Sequence, residues 1–296
     1  MTRSHLLVFL LSTATPAADD PSPVAPGAKL EKLADGFKFT EGPATDAAGN
    51  VYFTDQPNDR ILKWDTNGKL TTLMEPCGRS NGLCFDKDGK LWACADEKNE
   101  LWRIDVATKE KTVVVKDYNG KLLNGPNDVW VRPEGGVYFT DPFYKRPYWK
   151  RGDKEQDVEG VYYVAPDGKL TRVESELKQP NGIIGTPDGK TLYVADIGAG
   201  KTYAYDIQPD GSLKNRRQFC SLGSDGMTID VEGNVYLTGK GVTIFDKSGK
   251  QITNIPVPQP WTANVCFGGK DMQTLFITAS TALYGLKMRV KGAGSQ

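Results

Sequence analysis

The sequence predicts an all-β protein built as a six-bladed β-propeller with four antiparallel strands per blade, and three observations support this fold class. One motif recurs six times with a period of roughly 40 to 50 residues. Each copy places two strand-like segments around a glycine-containing turn, as a β-hairpin does. The 32 Gly and 18 Pro among 296 residues favour many short strands over long helices.

The six copies of the motif read "TEGPATDAAGNVYFTD", "SNGLCFDKDGKLWACAD", "PNDVWVRPEGGVYFTD", "PNGIIGTPDGKTLYVAD", "SDGMTIDVEGNVYLTG" and, more weakly, "ANVCFGGKDMQTLFITA". Their alignment superimposes one polar residue per copy: Glu41, Asn81, Asn127, Asn181, Asp225 and Asn264. In five copies a glycine follows eight residues later, at Gly49, Gly89, Gly135, Gly189 and Gly233. An aromatic residue follows that turn in every copy, which indicates one structural unit repeated six times.

The copies continue into a third strand, as in "RILKWD" or "ELWRID", and a fourth strand can be recognised after four of them, as in "GKLTTLM". The sixth copy runs out of chain before a fourth strand. We expect "KLEKLADGF", residues 29–37, to supply that strand and close the ring, which hides an exposed sheet edge. The predicted domain is therefore a single propeller over residues 28–290.

The N-terminus has the pattern of an export signal. Arg3 precedes the apolar run "LLVFLLSTATPAA", which ends on small residues and is too short to span a bilayer as a helix. We interpret residues 1–18 as a signal peptide and residues 19–27 as a Pro-rich leader, which predicts a periplasmic or secreted protein. The alternative is a disordered or trimmed tail.

Composition excludes several kinds of partner. Lys plus Arg equals Asp plus Glu at 37 each, so no net field attracts nucleic acid or an anionic membrane. We expect a small-molecule partner, no membrane span and a monomer. The five cysteines form no CxxC pair, and buried thiols explain them better than disulfides, although one bridge involving Cys77 is an open alternative.

The only histidine, His5, lies in the predicted signal peptide. The mature chain would then lack every histidine-based nucleophile, general base and zinc site. Any hydrolytic chemistry must use carboxylates, amides, lysine or a metal ion.

The six aligned polar residues predict a metal site. The first strand of each propeller blade lines the central channel, so six oxygen-bearing side chains would converge at one mouth. Oxygen ligands without histidine or thiolate suit Ca²⁺, with Mg²⁺, Mn²⁺ or Zn²⁺ as alternatives, and disfavour a structural zinc site. Turn capping would equally explain the Asn residues, but it explains Glu41 poorly because Glu is an indifferent turn residue.

The motifs "EGP", "GPNDV", "PNGI" and "SDGM" resemble those of the SMP-30/gluconolactonase family of calcium-dependent lactonases, in the order and spacing of that family. The likeness runs from Phe39 to about Leu286, and "GPNDV" with "FTDP" is closer to its bacterial secreted branch than to its regucalcin branch. It implies hydrolysis of a sugar or related lactone.

By position, the resemblance implies that Glu41, Asn181 and Asp225 are the principal metal ligands, with Asn127 as a further ligand or substrate contact. It also implies that Asp225 acts as acid and base, and the neighbouring Asp128 is our second candidate for that role. Regucalcin-like members carry Arg two residues before Asn127, where this chain has Gly125. The resemblance therefore implies no substrate contact by an arginine at this position.

The implied mechanism is carboxylate-assisted attack of water on a carbonyl polarised by Ca²⁺. A bound cation would lower the pKa of Asp225 and keep it ionised. Two other function classes stay open: a different ester or phosphotriester hydrolase on the same fold, and a propeller that binds a ligand or protein without catalysis.

The longest irregular segment is "PFYKRPYWKRGDKEQDVEG", residues 142–160, between the second and third strands of blade three. Loops of this length often act as lids or binding loops. Its aromatic residues, with Phe143 and Tyr144 first, could cover a substrate, and its basic residues could hold a carboxylate or phosphate. A solvated loop whose charges pair internally explains it equally well.

Two further sets of residues complete the prediction. Asn81 and Trp261 are placed near the same mouth as candidate substrate contacts, with ordinary packing as the alternative for Trp261. The aspartates that end the second strands recur from blade to blade, which favours structural roles: Asp55, Asp96, Asp141 and Asp196.

Overall fold

The computed structural model describes residues 22–294, and within them regular structure is almost entirely β. In this part of the chain, twenty-four strands form six separate four-stranded antiparallel sheets, and the only helical elements are three short 3₁₀ turns. This arrangement confirms the predicted six-bladed propeller. Residues 1–21, which hold the predicted signal peptide and the start of the leader, lie outside the described residues.

The blades follow the order of the repeats in the chain. Blade one contains β2 (Thr40–Thr45), β3 (Val51–Asp55), β4 (Arg60–Trp64) and β5 (Leu70–Met74). Blade two contains β6 (Ser80–Phe85), β7 (Leu91–Ala95), β8 (Glu100–Ile104) and β9 (Lys111–Val115). Blade three contains β10 (Val129–Val131), β11 (Val137–Asp141), β12 (Gly160–Val164) and β13 (Leu170–Glu174).

The second half of the ring repeats this plan. Blade four contains β14 (Pro180–Gly185), β15 (Thr191–Asp196), β16 (Lys201–Ile207) and β17 (Leu213–Cys220). Blade five contains β18 (Met227–Ile229), β19 (Val235–Gly239), β20 (Gly241–Phe245) and β21 (Gln251–Ile255). Blade six contains β22 (Asn264–Gly268), β23 (Thr274–Ala279) and β24 (Ala282–Lys287), with β1 (Glu31–Asp35) as its fourth strand.

Strand β1 closes the ring as the sequence predicts. It pairs antiparallel with β24, with Glu31 opposite Gly285 and Asp35 opposite Ala282. The residues just before it also contact blade six, because Val24 forms an isolated bridge with Met288. Pairing β24 with β1 covers the edge of the blade-six sheet that would otherwise be exposed.

The recurring glycine lies in the turn between the first two strands of blades one to five. In blade one, the Asp46 carboxylate accepts hydrogen bonds from the backbone of Ala48 and Asn50, and Gly49 has φ +86°. Glycine adopts such positive φ values without steric cost. The weak sixth copy places Met272 at the aligned position, and its φ is +56°. The blade keeps the turn without the glycine.

Burial is concentrated on the inner strands and between blades. Every residue of β3, β7, β11 and β19 is buried, whereas outer strands such as β17 are largely exposed. Six apolar clusters each combine residues from adjacent blades, and they hold the ring together through apolar burial.

Two further predictions meet the structure here. All five cysteines are free thiols, and four of them are buried, which confirms the interpretation as buried thiols. Across residues 22–294, no helix has the length and apolar character needed to cross a membrane.

Candidate active site

The six aligned polar residues stand where the first strand of each blade begins. Glu41, Asn81, Asn181 and Asn264 lie within or at the start of their strands, and Asn127 and Asp225 lie two residues before theirs. All six are buried, and Asp225 is the most exposed of them at 9%. We call these six residues the polar ring.

Glycines next to the polar ring let neighbouring blades approach closely. A Cβ atom at Gly42 would lie 2.1 Å from the carbonyl oxygen of Asn81, and one at Gly182 would lie 2.3 Å from that of Asp225. Threonines of the second strands also join neighbouring blades: Thr54 Oγ1 donates to the carbonyl oxygen of Asn81 at 3.1 Å, and Thr140 Oγ1 donates to that of Asn181 at 2.7 Å. Consequently the "EGP", "PNGI" and "SDGM" motifs require glycine for the packing of blade against blade.

Asp225 lies at the centre of a hydrogen-bond network that joins three blades and the long loop. Its Oδ1 atom accepts from Asn181 Nδ2 at 2.9 Å, and its Oδ2 atom accepts from the indole N–H of Trp261 at 2.6 Å. The Nδ2 group of Asn181 also donates to the Tyr144 hydroxyl at 2.8 Å. The structure thus brings together four residues that the sequence placed at one mouth.

The acids of this region repel one another. Burial raises the pKa of Glu41 well above its usual range, and the negative charge of Asp225 raises it further. Burial also raises the pKa of Asp225 to about 6, although hydrogen bonds from Trp261 and Asn181 oppose the rise. Without a cation, the pKa of Asp225 is therefore raised, whereas we expect a bound cation to lower it. A divalent cation among these groups would favour their ionised forms.

One buried atom fits a cation site directly. Asn181 Oδ1 is buried and has no hydrogen-bond partner, although the Nδ2 group of the same amide makes two bonds. Buried carbonyl-type oxygens rarely remain without a hydrogen-bond partner in native proteins, and a role as a metal ligand is one explanation. Within residues 22–294, no group of three or more His, Cys, Asp and Glu is placed to hold a metal. Any cation here would need amide as well as carboxylate oxygens, which suits Ca²⁺.

Asp128 is buried next to Asn127 of the polar ring and belongs to a central cavity. Its Oδ1 atom accepts from the backbone of Val129 at 3.0 Å, and its Oδ2 atom accepts from that of Ile183 at 3.3 Å. Burial raises its pKa to about 7, and the charge of Asp225 adds to the rise. With Asn264 it lines a central cavity of about 500 Å³ that extends between the first strands toward the opposite face.

The long loop of blade three folds over the polar ring and reaches blade two. Tyr144 contacts Asn181, as described, and the Tyr148 hydroxyl donates to Asp96 Oδ2 at 2.8 Å. Arg79 of blade two lies over the Tyr148 ring, 4.4 Å from its centroid. Phe143 packs on Trp149 within the loop, with ring centroids 5.5 Å apart. These contacts favour a covering loop over a freely solvated one.

Three of the four strand-end aspartates have the structural role that their recurrence predicts. Asp55, Asp141 and Asp196 each accept hydrogen bonds from two consecutive backbone N–H groups at the blade corner. Asp96 differs, because its carboxylate instead accepts from Tyr148 and from Gln56 Nε2 at 3.1 Å. The recurrence alone gave no sign of this difference.

The surroundings of Gly125 explain why this chain has no arginine at that position, two residues before Asn127. Gly125 has φ +149°, and a Cβ atom there would lie 2.5 Å from Asp96 Oδ1 and 3.0 Å from the Trp149 ring. The space is thus filled by the loop and by Asp96. The long loop supplies an arginine nearby, because Arg146 Nε lies 3.4 Å from Asp96 Oδ2. Our sequence reasoning did not single out Arg146 from the other basic residues.

Fold and site together define a class: a six-bladed propeller that presents a buried ring of acids and amides at one mouth of its central channel. The chain belongs to the family described as SMP-30/Gluconolactonase/LRE-like region, whose model matches residues 39–281. This match confirms the family resemblance that the four motifs carry.

Individual relatives agree with the family match. The chain is 32% identical to a gluconolactonase of Zymomonas mobilis, over 89% of this chain and 82% of the relative. It is 25% identical to a diisopropyl-fluorophosphatase of Loligo vulgaris, over 83% of this chain and 87% of the relative. The solved structure of a gluconolactonase from Xanthomonas campestris superimposes with a TM-score of 0.83 at 32% identity, covering 95% of this chain and 99% of that one.

Proposed function

We propose that this protein is a metal-dependent lactone hydrolase of the gluconolactonase type, and that Ca²⁺ is its metal. The observation that carries the proposal is the unpaired, buried Asn181 Oδ1 beside the acids Glu41 and Asp225. A shared cation would offset the repulsion between the two carboxylates and would provide a partner for the amide oxygen. The gluconolactonases among its relatives support the same reaction class.

Glu41, Asn181 and Asp225 would hold the cation, with Asn127 as a further ligand or substrate contact. When bound, Ca²⁺ supplies Lewis acidity toward a lactone carbonyl. The protein contributes orientation: Asn181 and Trp261 fix the Asp225 carboxylate, and Tyr144 stands over Asn181. Tyr144 and Trp261 would contact the bound substrate, and the loop would exclude bulk water from it.

Two carboxylates are candidates for the general base that takes a proton from the attacking water. Asp225 is itself one of the proposed ligands, but both of its oxygens already accept hydrogen bonds. Asp128 lines the central cavity, and burial raises its pKa to about 7, near the value at which a general base works best at neutral pH. We favour Asp225 and keep Asp128 as the second candidate.

A second candidate function has one observation in its favour. The diisopropyl-fluorophosphatase of Loligo vulgaris is a relative over most of the chain, so a phosphotriester or related ester is an alternative substrate class. A polar ring that only binds a ligand, without turnover, is the remaining alternative.

Turnover separates these functions. Glucono-1,5-lactone, δ-valerolactone and a phosphotriester are each assayed after chelation and again after addition of Ca²⁺. We expect lactone hydrolysis to disappear on chelation and to return with Ca²⁺. Faster hydrolysis of the phosphotriester would favour the second candidate, and lactone turnover that survives exhaustive chelation would contradict a metal-dependent mechanism.

Export is part of the proposal. Residues 1–18 have the composition of a signal peptide. Expression of the full chain in a Gram-negative host, followed by fractionation and N-terminal sequencing, tests it. Recovery of the intact N-terminus in the cytoplasm would contradict it.

A further inference from the structure

Arg146 is a cation fixed at the rim of the polar ring. Its Nε atom lies 3.4 Å from Asp96 Oδ2, and its guanidinium carbon lies 4.8 Å from the centroid of the Tyr144 ring. The positive charge of Arg146 also lowers the pKa of both Glu41 and Asp225. The side chain therefore stands close enough to the proposed metal ligands to influence their charge.

Asp96 holds the guanidinium in place. The Asp96 side chain is 4% exposed, and its Oδ2 atom accepts hydrogen bonds from the Tyr148 hydroxyl and from Gln56 Nε2. An anchor that is itself bonded from blade one and from the loop has little freedom to move. Arg146 is thus positioned by buried neighbours, although it belongs to a long loop.

The hydrogen-bonding capacity of Arg146 is largely unused. Arginine carries five N–H donors and no acceptor. Its Nε atom is buried without a hydrogen-bond partner, and its contact with Asp96 is long. Across residues 22–294 no other acceptor is bonded to this guanidinium, and the side chain is 24% exposed. Acceptor oxygens of a bound molecule could use these free N–H donors of Arg146.

The location of Arg146 indicates which part of a substrate it meets. Asp96 follows β7, and Ser80 of the neighbouring channel-lining strand pairs with Ala95. Adjacent strands lie about 4.8 Å apart. Asp96, which anchors Arg146, is therefore one strand outward from the polar ring. The substituents of a bound lactone would lie there, rather than its reacting carbonyl group.

We propose that Arg146 binds hydroxyl oxygens of the substrate and so selects polyhydroxylated lactones over aliphatic ones. This inference rests on the proposed function and names its substrate class. Neutral hydroxyls fit better than a carboxylate or phosphate, because Asp96, Glu41 and Asp225 already place negative charge around the guanidinium. A hydroxyl oxygen accepts from arginine without adding to that repulsion.

Binding of two lactams tests the inference without requiring turnover. D-glucono-1,5-lactam and δ-valerolactam share a six-membered ring, and only the first carries hydroxyl groups. Both are titrated into the Ca²⁺-loaded wild-type protein and into Arg146→Met by calorimetry. We expect Arg146→Met to weaken gluconolactam binding about ten- to a hundredfold and to leave valerolactam binding unchanged. Equal weakening of both lactams, or no weakening, overturns the inference.

Two matched variants guard against a merely structural effect. Lys150→Ala removes an exposed positive charge from the same loop and should leave the binding of both lactams unchanged. Arg146→Lys keeps the charge but loses the planar donor fork, so it should show an intermediate loss for gluconolactam alone. A loss in Lys150→Ala as large as that in Arg146→Met would overturn the inference in favour of a general charge effect.

Kinetics then distinguish this inference from the proposed function. In Arg146→Met, kcat/KM for glucono-1,5-lactone should fall at least about tenfold more than that for δ-valerolactone. A wild-type protein that binds gluconolactam in an Arg146-dependent way yet hydrolyses no lactone would contradict the proposed function and support the inference. A wild-type protein that hydrolyses both lactones with a ratio unchanged in Arg146→Met would do the reverse.

Discussion

The indole N–H of Trp261 donates a hydrogen bond of 2.6 Å to Asp225 Oδ2, which links the segment before blade six to the polar residue of blade five. The other carboxylate oxygen of Asp225 accepts from Asn181 of blade four. Both oxygens are therefore oriented by neighbouring blades. A group oriented in this way is suited to hold a cation in fixed geometry.

Replacing Trp261 with Phe should weaken metal binding and lactone turnover about tenfold, because the carboxylate loses the donor that orients Oδ2. Calorimetric titration with Ca²⁺ measures the affinity. Trp92→Phe is the matched control, since Trp92 Nε1 makes a similar bond of 2.9 Å to Asp86, in a turn between first and second strands. Equal losses in both variants would show that loss of stability, and not orientation of Asp225, is responsible.

Calcium should stabilise the folded protein against heat, because a ligand that binds only the folded state shifts the unfolding equilibrium. At a Ca²⁺ concentration one hundred times the Kd, the gain is about 2.7 kcal/mol. Differential scanning calorimetry with Ca²⁺ and with chelator measures it. Glu41→Gln and Asp225→Asn should lose most of this gain. If both variants keep the full Ca²⁺-dependent shift, the proposed ligands are wrong.

Asp225→Asn at saturating metal tests which acid is the base. An amide at this position keeps one oxygen but turns a donor toward either Asn181 Nδ2 or Trp261 Nε1, which both donate already. If Asp225 is the base, turnover should stay more than about a hundredfold low even when excess Ca²⁺ fills the site. Recovery of turnover in excess metal, together with an inactive Asp128→Asn variant, would assign the base to Asp128.

Asp141→Asn should lower the free energy of unfolding by about 1 to 3 kcal/mol. The carboxylate accepts from the backbone N–H groups of Asn124 and Gly125 at 2.8 Å each, and an amide would turn one donor toward them. Urea unfolding measures the loss, and Asp153→Asn is the control because its side chain is 92% exposed. A change within about 0.5 kcal/mol for both variants would contradict the structural role of Asp141.

The same variant should alter how stability depends on pH. Burial raises the pKa of Asp141 to about 7 in the folded protein, whereas an unfolded aspartate titrates near 3.9. Between about pH 4 and pH 7 the folded protein binds the proton and the unfolded chain does not. The contribution of Asp141 to stability therefore falls as pH rises through this range. The stability difference between wild type and Asp141→Asn should shrink from pH 5 to pH 8, and a constant difference would contradict the raised pKa.

Residues in the repeats were predictable because six copies confirm one another. The polar ring could be placed at one mouth without coordinates, since Glu41, Asn181 and Asp225 occupy equivalent positions in blades of known order. The closing strand was predictable for a similar reason: the sixth copy lacked one strand, and "KLEKLADGF" was the only unassigned segment near the other end.

Residues outside the repeats were harder to predict. The sequence contains one copy of the long loop, so no comparison within the chain shows which of its side chains turn inward. Asp96 illustrates the problem, because it matches Asp55, Asp141 and Asp196 in sequence but meets Tyr148 and Gln56 instead of its own blade corner. Contacts between a unique loop and a repeated position depend on three-dimensional proximity, which no pattern within one blade encodes.

The pairing of β1 with β24 sets an order of events during synthesis. Strand β1 has no partner until β24, which lies about 250 residues later in the sequence, has been made. Up to then β1 is unpaired and the ring is open, so the native edge of blade six does not exist. Contacts between residues so far apart in sequence also slow folding, because a long stretch of chain must be closed before they form. Pairing β1 with β24 therefore delays completion of the propeller until β24 has been synthesised.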